Sequence, residues 1–491
     1  MDLGLGRVQA LLQRVGSPHT KFPVIHVAGT NGKGSTTAYL AALLSQGAGI
    51  RSARFNSPHL VTARDSVRLS NGEPIDEVTW NLAVQRTQAA DARDTPIGAT
   101  PFELLTVQAL LAYTLLPQAQ QPEVLVIEVG VGGRLDATNV FPSDNVLASV
   151  ICPIAKDHEN LLGHGLAAIA REKVGILKSN GLCVVADQTP VFRIPPSTSL
   201  LPPPSSEVMS SIVEACQAQQ ASVAFTQVPW SSIQLCSTHP PLRAPVQFSL
   251  PLYEPMTITE GASSTAQMHI PVTLEASLSR VSGASTALQT LWSIATLPMH
   301  SSPAGPDRWH DIRARIRTHL FPDNKPSPSL TASLGQCRWE GRCEWHSLGS
   351  LPLLLDGAHN VASAWALRQY LEQCLHGLPP VTISWIMAFS QGKDVESMLD
   401  IFLAAHPGMT HRVAFVPFST PVEGMPWVRS MPPSQLVESA QRFSVPTSSY
   451  TSLSDALHAT SSSDTSHMHL VVVCGSLYLV SDFYRTNALV T

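Results

Sequence analysis

Charge is scarce in this chain. Only 14% of its 491 residues are Asp, Glu, Lys or Arg, and the formal net charge is −5. A protein that grips nucleic acid by neutralising phosphates needs the opposite balance, so the composition argues against that class. Long apolar runs are also missing: 44% of the residues are hydrophobic, but no run reaches the roughly 18 residues of a membrane span. The eight cysteines are scattered and form no Cys-x-x-Cys; the nearest pair, Cys337 and Cys343, has a spacing that fits no common zinc signature. Reduced, buried thiols are therefore expected, and with them a cytoplasmic protein, a mitochondrial pool being left open. Met1 to Ser17 places Leu5, Val8, Leu11, Leu12 and Val15 at helical spacing, the pattern of a packed first helix rather than a targeting peptide. No internal repeat is found.

What the chain does have is a strand, a glycine-rich turn and a helix in immediate succession. Val24, Ile25 and Val27 read as a buried strand, Gly29-Thr30-Asn31-Gly32-Lys33-Gly34 turns the chain, and Ser35 to Leu44 reads as a helix. Such a turn points backbone N–H groups into one concavity at the positive end of the helix dipole, which suits a polyphosphate. Lys33 can neutralise the outer phosphates, and the Ser35 hydroxyl can ligate magnesium. The spacing Gly-x-x-Gly-Lys-Gly-Ser is two residues shorter than the common Gly-x-x-x-x-Gly-Lys-Ser/Thr form.

Further strands are expected at Ile50–Asn56, Asp65–Leu69, Glu123–Val129, Val146–Ile151 and Leu182–Ala186. Helices are expected at Glu77–Ala92, Phe102–Leu116 and Leu166–Leu177. Alternating strands and helices, with polar motifs at strand C-terminal ends, predict a mostly parallel sheet with its site at that edge. Glu128 stands at one such end, and Asp157 and His158 follow another. Pro190 to Pro271 is rich in Pro, Ser, Thr and Gln and reads as a looped or antiparallel extension with partly disordered insertions. Val281–Leu297 reads as the helix closing a first domain, residues 1–298. After a linker at Met299–Arg308, residues 308–491 read as a smaller α/β domain, with strands at Leu353–Leu355, Val381–Ala388, Arg412–Phe418 and His469–Cys474. Lys33 with Ser35, Glu128, and Asp157 with His158 together suit MgATP rather than a nucleotide redox cofactor.

A specific resemblance supports this. Val27 to Ser35, Ser57-Pro58-His59-Leu60, Glu128 to Asn139, Asp157-His158 with Leu162-Gly163, Glu172-Lys173-Val174-Gly175-Ile176 and Asp356-Gly357-Ala358-His359-Asn360 follow one family pattern in order. The chain resembles the dihydrofolate synthase and folylpolyglutamate synthase branch of the Mur ligase superfamily, from about Leu5 to Gly475-Ser476-Leu477-Tyr478, apart from Pro190–Pro271. The resemblance implies a P-loop ATPase domain followed by a Rossmann-like domain, in a monomer. It implies ATP-dependent ligation of L-glutamate to a pterin-bearing carboxylate, activated as an acyl phosphate; no side-chain nucleophile is needed.

By the same resemblance Gly29, Thr30, Asn31, Gly32, Lys33, Gly34, Ser35 and Thr36 hold the triphosphate. Ser57 and Glu128, helped by Ser35, bind one magnesium ion, and His158 binds a second. Lys173 is expected to be carbamylated. From the second domain Arg342 reaches the phosphates, Asp356 holds the ribose or adenine edge with His359 beside it, and closure of that domain excludes water. The pteroate pocket takes in Phe102, Glu103, Leu135, Asp136 and Ala137. Where the family carries Gly-x-His-Gln-x-x-Asn, this chain has Gly283 to Gln289, and Gln289 is the expected substitute partner for adenine. Trp339-Glu340-Gly341-Arg342 stands in place of Trp-Pro-Gly-Arg. Asn31, Asp65-Ser66-Val67-Arg68 and the Gly-Gly-Arg-Leu-Asp-Ala-Thr-Asn form point to addition of the first glutamate to dihydropteroate. Extension of reduced folates, or both reactions, is the alternative, and a nucleotide-binding module without ligase activity is a third reading.

Overall fold

A computed structural model describes residues 4–189, 205–235, 245–258, 266–275, 278–297, 308–420, 422, 428–461 and 468–486. They form two compact units: Met1–His59 with Arg64–Gln234 and Pro245–Arg338, and Leu60–Ala63 with Leu235–Ala244 and Trp339–Thr491.

The first unit begins α1 (Gly6–Arg14), β1 (Val24–Ala28), α2 (Lys33–Ala42), β2 (Ser52–Phe55), β3 (Val67–Arg68), α3 (Glu77–Ala92), α4 (Pro101–Leu115), β4 (Val124–Glu128), β5 (Val146–Ile151), α5 (Glu159–Leu162), α6 (Leu166–Val174) and β6 (Leu182–Val185). It continues with α7 (Ser206–Ala218), β7 (Ser222–Phe225), β8 (Gln234–Leu235), β9 (Pro245–Leu252), β10 (Met256–Thr257), β11 (Met268–Glu275), α8 (Leu278–Thr296), α9 (His310–Leu320) and α10 (Pro328–Gln336). The main sheet has the order β10-β7-β6-β5-β1-β4-β2-β3, parallel except for its edge strands β10 and β3. β1 lies inside it between β4 and β5. Its residues are buried on both faces, as a Val/Ile run covered by helices should be.

Two expectations are corrected here. Pro190–Pro271 is not only an antiparallel extension. Val208, Ile212 and Cys216 of α7 pack with Val223 of β7 against Cys183 and Val185, and β7 lengthens the parallel sheet beyond β6. The antiparallel part is the β9–β11 ladder, whose Phe248, Leu250, Ile270 and Val272 enter the main core. Within that stretch residues 190–204, 236–244 and 259–265 lie outside the described residues, as does most of the expected linker. The first unit also runs on to Arg338 instead of ending near 298. Ile312, Ile316 and Leu320 form one apolar stripe of α9 at helical spacing, and with Leu330 and Leu334 of α10 they complete the core around Leu288, Leu291 and Trp292 of α8.

The second unit contains β12 (Glu344–Leu348), β13 (Leu351–Leu355), α11 (Val361–Leu375), β14 (Val381–Met387), α12 (Val395–Phe402), β15 (Met409–Phe415), α13 (Pro433–Ala440), β16 (Thr447–Ser449), α14 (Leu453–Ser461), β17 (Met468–Cys474) and α15 (Leu477–Arg485). Its sheet order is β12-β13-β17-β14-β15-β16, with only β12 antiparallel. One face packs Trp385, Phe402 and Phe415, the other Leu353, Ile386, Val473 and Phe483, so apolar clusters cover both sides. Among the described residues no helix is long and apolar enough to cross a membrane.

Candidate functional site

Three neighbouring strands end together. Val27 pairs with Glu128 of β4, and Ala28 with Ile151 of β5. The chain leaves β1 through Gly29, whose φ is +149°; a Cβ there would stand 2.5 Å from Cβ of Cys152. Glycine is required by both the conformation and the close approach. The turn is laced to the segment after β5. Thr30 and Asn31 donate their N–H groups to the Pro153 carbonyl at 3.0 and 3.2 Å. Thr30 Oγ1 donates to Ala155 O at 3.0 Å and accepts from Ala155 N–H at 3.1 Å.

This refines the expected concavity, because the amides of Thr30 and Asn31 are already committed. The remaining donors belong to the first turn of α2. Gly32, in the left-handed region at φ +82°, is its N-cap and supplies no side-chain cap. The orphan N–H groups and dipole of a ten-residue helix thus meet at Lys33, Gly34 and Ser35. Thr36 turns the other way: its Oγ1 accepts from the Cys152 thiol at 3.3 Å, so its side chain serves packing. Gly283 of α8 lies against Ser35, where an added Cβ would come within 3.0 Å of Ser35 Cβ.

Lys33 Nζ donates to Thr30 O at 3.3 Å and stands 3.9 Å from Glu128 Oε1. The buried Glu128 carboxylate accepts at Oε2 from Asn56 Nδ2 at 2.7 Å, and the same nitrogen donates to Thr37 Oγ1 of α2 at 2.7 Å. Asn56 closes β2 immediately before Ser57, which is half-buried and precedes a cis peptide to Pro58. Asn56 was not singled out in the sequence. Its one signal is its place, a polar residue directly after the buried strand β2 and beside the Ser57-Pro58-His59 motif.

Lys173 reaches the same turn from α6. Its Nζ is buried and donates to Gly29 O at 2.9 Å. Burial, then the positive charge of Lys33, lowers its pKa to about 7, against the opposing pull of Asp157 and Asp136. The loop after β4 holds α6 in place. Arg134 N–H donates to Glu172 O at 2.8 Å, its guanidinium pairs with the Glu172 carboxylate at 2.8 Å, and Asn139 Nδ2 donates to Gly175 O at 3.1 Å. Gly133 allows the contact, since a Cβ there would lie 2.8 Å from Glu172 O. His158 follows β5 in the left-handed region, half-exposed, with Nε2 3.8 Å from Asp157 Oδ2.

Several expected ligands are occupied elsewhere. Gln289 is fully buried. Its Oε1 accepts from Tyr253 N–H at 3.1 Å, and its Nε2 donates to Tyr253 O at 2.7 Å and to Ser293 Oγ at 2.9 Å. Both ends of the amide are consumed, so the expected adenine contact is corrected to a structural clamp. Glu103 Oε2 accepts from Thr100 N–H at 2.6 Å and Arg7 Nε at 3.0 Å, completing the capping box of α4. Asp136 accepts from Val131 N–H at 2.9 Å, Thr138 N–H at 3.0 Å and Thr138 Oγ1 at 2.5 Å. The Thr138 hydroxyl donates its hydrogen bond to Asp136 and accepts from His26 Nε2 at 2.9 Å. Burial keeps that histidine neutral, with its pKa lowered to about 3. The Glu103 and Asp136 carboxylates are therefore each engaged by neighbouring donors of their own unit. Phe102 lies against Gly130 and tilts toward Phe55 at 6.3 Å between centroids; Leu135 is half-buried and Ala137 buried on the same loop.

In the second unit Asp356 ends β13. Its Oδ2 accepts from Cys343 N–H and its Oδ1 from Ala358 N–H, each at 2.8 Å. Arg342 lies beside it and opposes the upward push of burial on its pKa. Arg342 donates to Gly341 O at 3.0 Å, and His359 Nδ1 donates to Gly357 O at 2.8 Å. Asp356 is thus a turn-former first.

The donor set fits a hard cation. Ser35, Ser57, Glu128 and His158 offer hydroxyls, one carboxylate and one imidazole, and Oδ1 of buried Asn56 has no hydrogen-bond partner among the described residues. Among the described residues no three His, Cys, Asp or Glu side chains form a closed cage. Magnesium matches such a site, because it keeps waters and phosphate oxygens in its shell.

Residues 343–486 match the family model described as dihydrofolate synthetase, C-terminal domain. The chain is 30% identical to the probable dihydrofolate synthetase of Schizosaccharomyces pombe, over 99% of this chain and 98% of that one. It is 28% identical to the dihydrofolate synthetase of Saccharomyces cerevisiae over the same shares. The bifunctional folylpolyglutamate synthase/dihydrofolate synthase of Yersinia pestis, solved with AMPPNP and a Mn ion, superimposes with a TM-score of 0.66 at 24% identity, covering 100% of this chain and 94% of that one.

Proposed function

Because the chain belongs to the dihydrofolate synthase and folylpolyglutamate synthase family, we propose that it joins L-glutamate to 7,8-dihydropteroate at the expense of ATP, giving dihydrofolate, ADP and phosphate. The observation that carries this is the convergence of the Lys33 turn, Glu128 and Lys173 at the ends of adjacent parallel strands.

The chemistry follows from what a carboxylate lacks. Direct attack by an amine would have to expel oxide. Transfer of the γ-phosphoryl group to the carboxylate oxygen releases ADP and leaves an acyl phosphate. The glutamate amine then forms the amide bond, loses its proton and expels phosphate. Lys33 and the uncapped amides at the start of α2 hold the phosphates and neutralise charge on the transferring group. Glu128, Ser35 and Ser57 would hold one divalent ion and His158 a second. Such ions polarise phosphoryl oxygens and align the carboxylate with them.

Lys173 is suited to carbamylation. A pKa of about 7 supplies free amine to attack carbon dioxide near neutral pH, and the carbamate nitrogen retains one N–H for Gly29 O. The new anion would then stand near Lys33 and the metal donors.

Whole-length likeness to the two fungal synthetases favours dihydropteroate over a polyglutamate tail as the acceptor. The test supplies ATP, glutamate and either dihydropteroate or tetrahydrofolate, follows phosphate release and weighs the product. Dihydropteroate carrying one added glutamate is expected. Turnover with tetrahydrofolate alone would overturn the assignment, and nucleotide binding without turnover on either acid would leave a binding module.

A further inference from the structure

Asn56 is a buried amide whose two ends are treated differently. The Glu128 carboxylate can only accept, so the nitrogen of Asn56 must face it, and that fixes the amide orientation. One N–H goes to Glu128 Oε2 and the other to Thr37 Oγ1. Thr37 in turn donates to Gly34 O at 2.8 Å, inside the phosphate turn. Three elements meet through one side chain: β2, which hands the chain on to Ser57; β4, which ends at Glu128; and α2, which starts at the phosphate site. The other end, Oδ1, has no partner among the described residues, and Asn56 is only 5% exposed. An orphaned buried acceptor is costly, and a residue that merely bridged β2 to α2 would gain nothing from it.

We propose that Asn56 is a positioning residue of the divalent-cation site. Its amide holds the Glu128 carboxylate in the orientation that ligates the ion, and its Oδ1 is the acceptor for a water in that ion's shell. Residues that orient metal ligands affect affinity for the ion by about 10- to 100-fold. The proposal rests on the reading of this edge as a metal–nucleotide site.

The experiment uses the full chain and reads free Mn2+ by electron paramagnetic resonance in the presence of ADP, alongside ADP affinity in EDTA. Asn56→Leu keeps the branched shape in a larger side chain and removes every side-chain hydrogen bond; Asn56→Ala does so without crowding and serves if the larger side chain perturbs folding. Both should weaken Mn2+ binding in the ADP complex about 10- to 100-fold while metal-free ADP affinity stays at the wild-type value, and saturating Mg2+ should restore turnover. Unchanged Mn2+ affinity would overturn the proposal. So would an equal loss of ADP affinity in EDTA, which would make Asn56 a plain structural bridge. Failure of the wild-type protein to bind Mn2+ with ADP would overturn the underlying site assignment instead.

Discussion

Replacing Gln289 separates a clamp from a nucleotide contact. Gln289→Met keeps a similar volume and removes three hydrogen bonds, at 3.1, 2.7 and 2.9 Å. The first two satisfy the N–H and C=O of Tyr253, which is 9% exposed. Each buried backbone group left unpaired costs about 1–3 kcal/mol, so the variant should lose roughly 2–6 kcal/mol of stability. For a unit of this size that is a fall of about 3–9 °C in Tm, read by calorimetry. ADP affinity, measured by titration on the folded variant, should not change, because neither end of the amide is free to face a ligand. A variant of wild-type stability whose ADP affinity had dropped about tenfold would refute the reasoning and restore the adenine role.

Lys173 gives a pH signature. Its pKa is about 7 in the fold against 10.5 for an ordinary lysine, so between those values the unfolded chain binds more protons and stability rises with pH. Lys173→Met should remove that rise, of order 5 kcal/mol, and be more stable than wild type at pH 7 in bicarbonate-free buffer; an unaltered slope in urea titrations would contradict this. Gly29→Ala forces a Cβ to within 2.5 Å of Cys152 Cβ at φ +149°, so it should cost about 1–3 kcal/mol and weaken ADP binding, both readable by thermal shift with and without ADP. Lys33→Met should lower turnover about 10²–10³-fold with little change in Tm, because its contacts at 3.3 and 3.9 Å are loose; a large Tm loss would assign it a structural role.

Part of this arrangement was legible from local signals. α3 has the expected bounds, Glu77 to Ala92, behind the N-cap Asp76, and β4 carries Glu128 at its end, because its apolar run between turn signals leaves few alternatives. α7 was hidden by the Pro/Ser-rich stretch that precedes it, and α9 and α10 by the assumption that one helix closes a domain. Neither error could be seen without knowing which core those apolar faces join. Expected ligands that also have structural partners carried local signals of those partners. Thr100-Pro101-Phe102-Glu103 spells a capping box, and Asp136 and Asp356 each accept from the N–H two residues on, the habit of an aspartate that forms its own turn. Gln289 had little: beside Ser293 one turn on, its partner Tyr253 lies 36 residues away, on a segment that only the tertiary fold brings to α8.

Activation of the acid as an acyl phosphate is tested most directly by oxygen transfer. Dihydropteroate labelled with 18O in its carboxylate is turned over with ATP and glutamate, and the released phosphate is weighed. One labelled oxygen in the phosphate for each amide formed is the predicted result. Amide formation with unlabelled phosphate would contradict the mechanism, and the roles given to Lys33, Glu128 and Lys173 would fall with it.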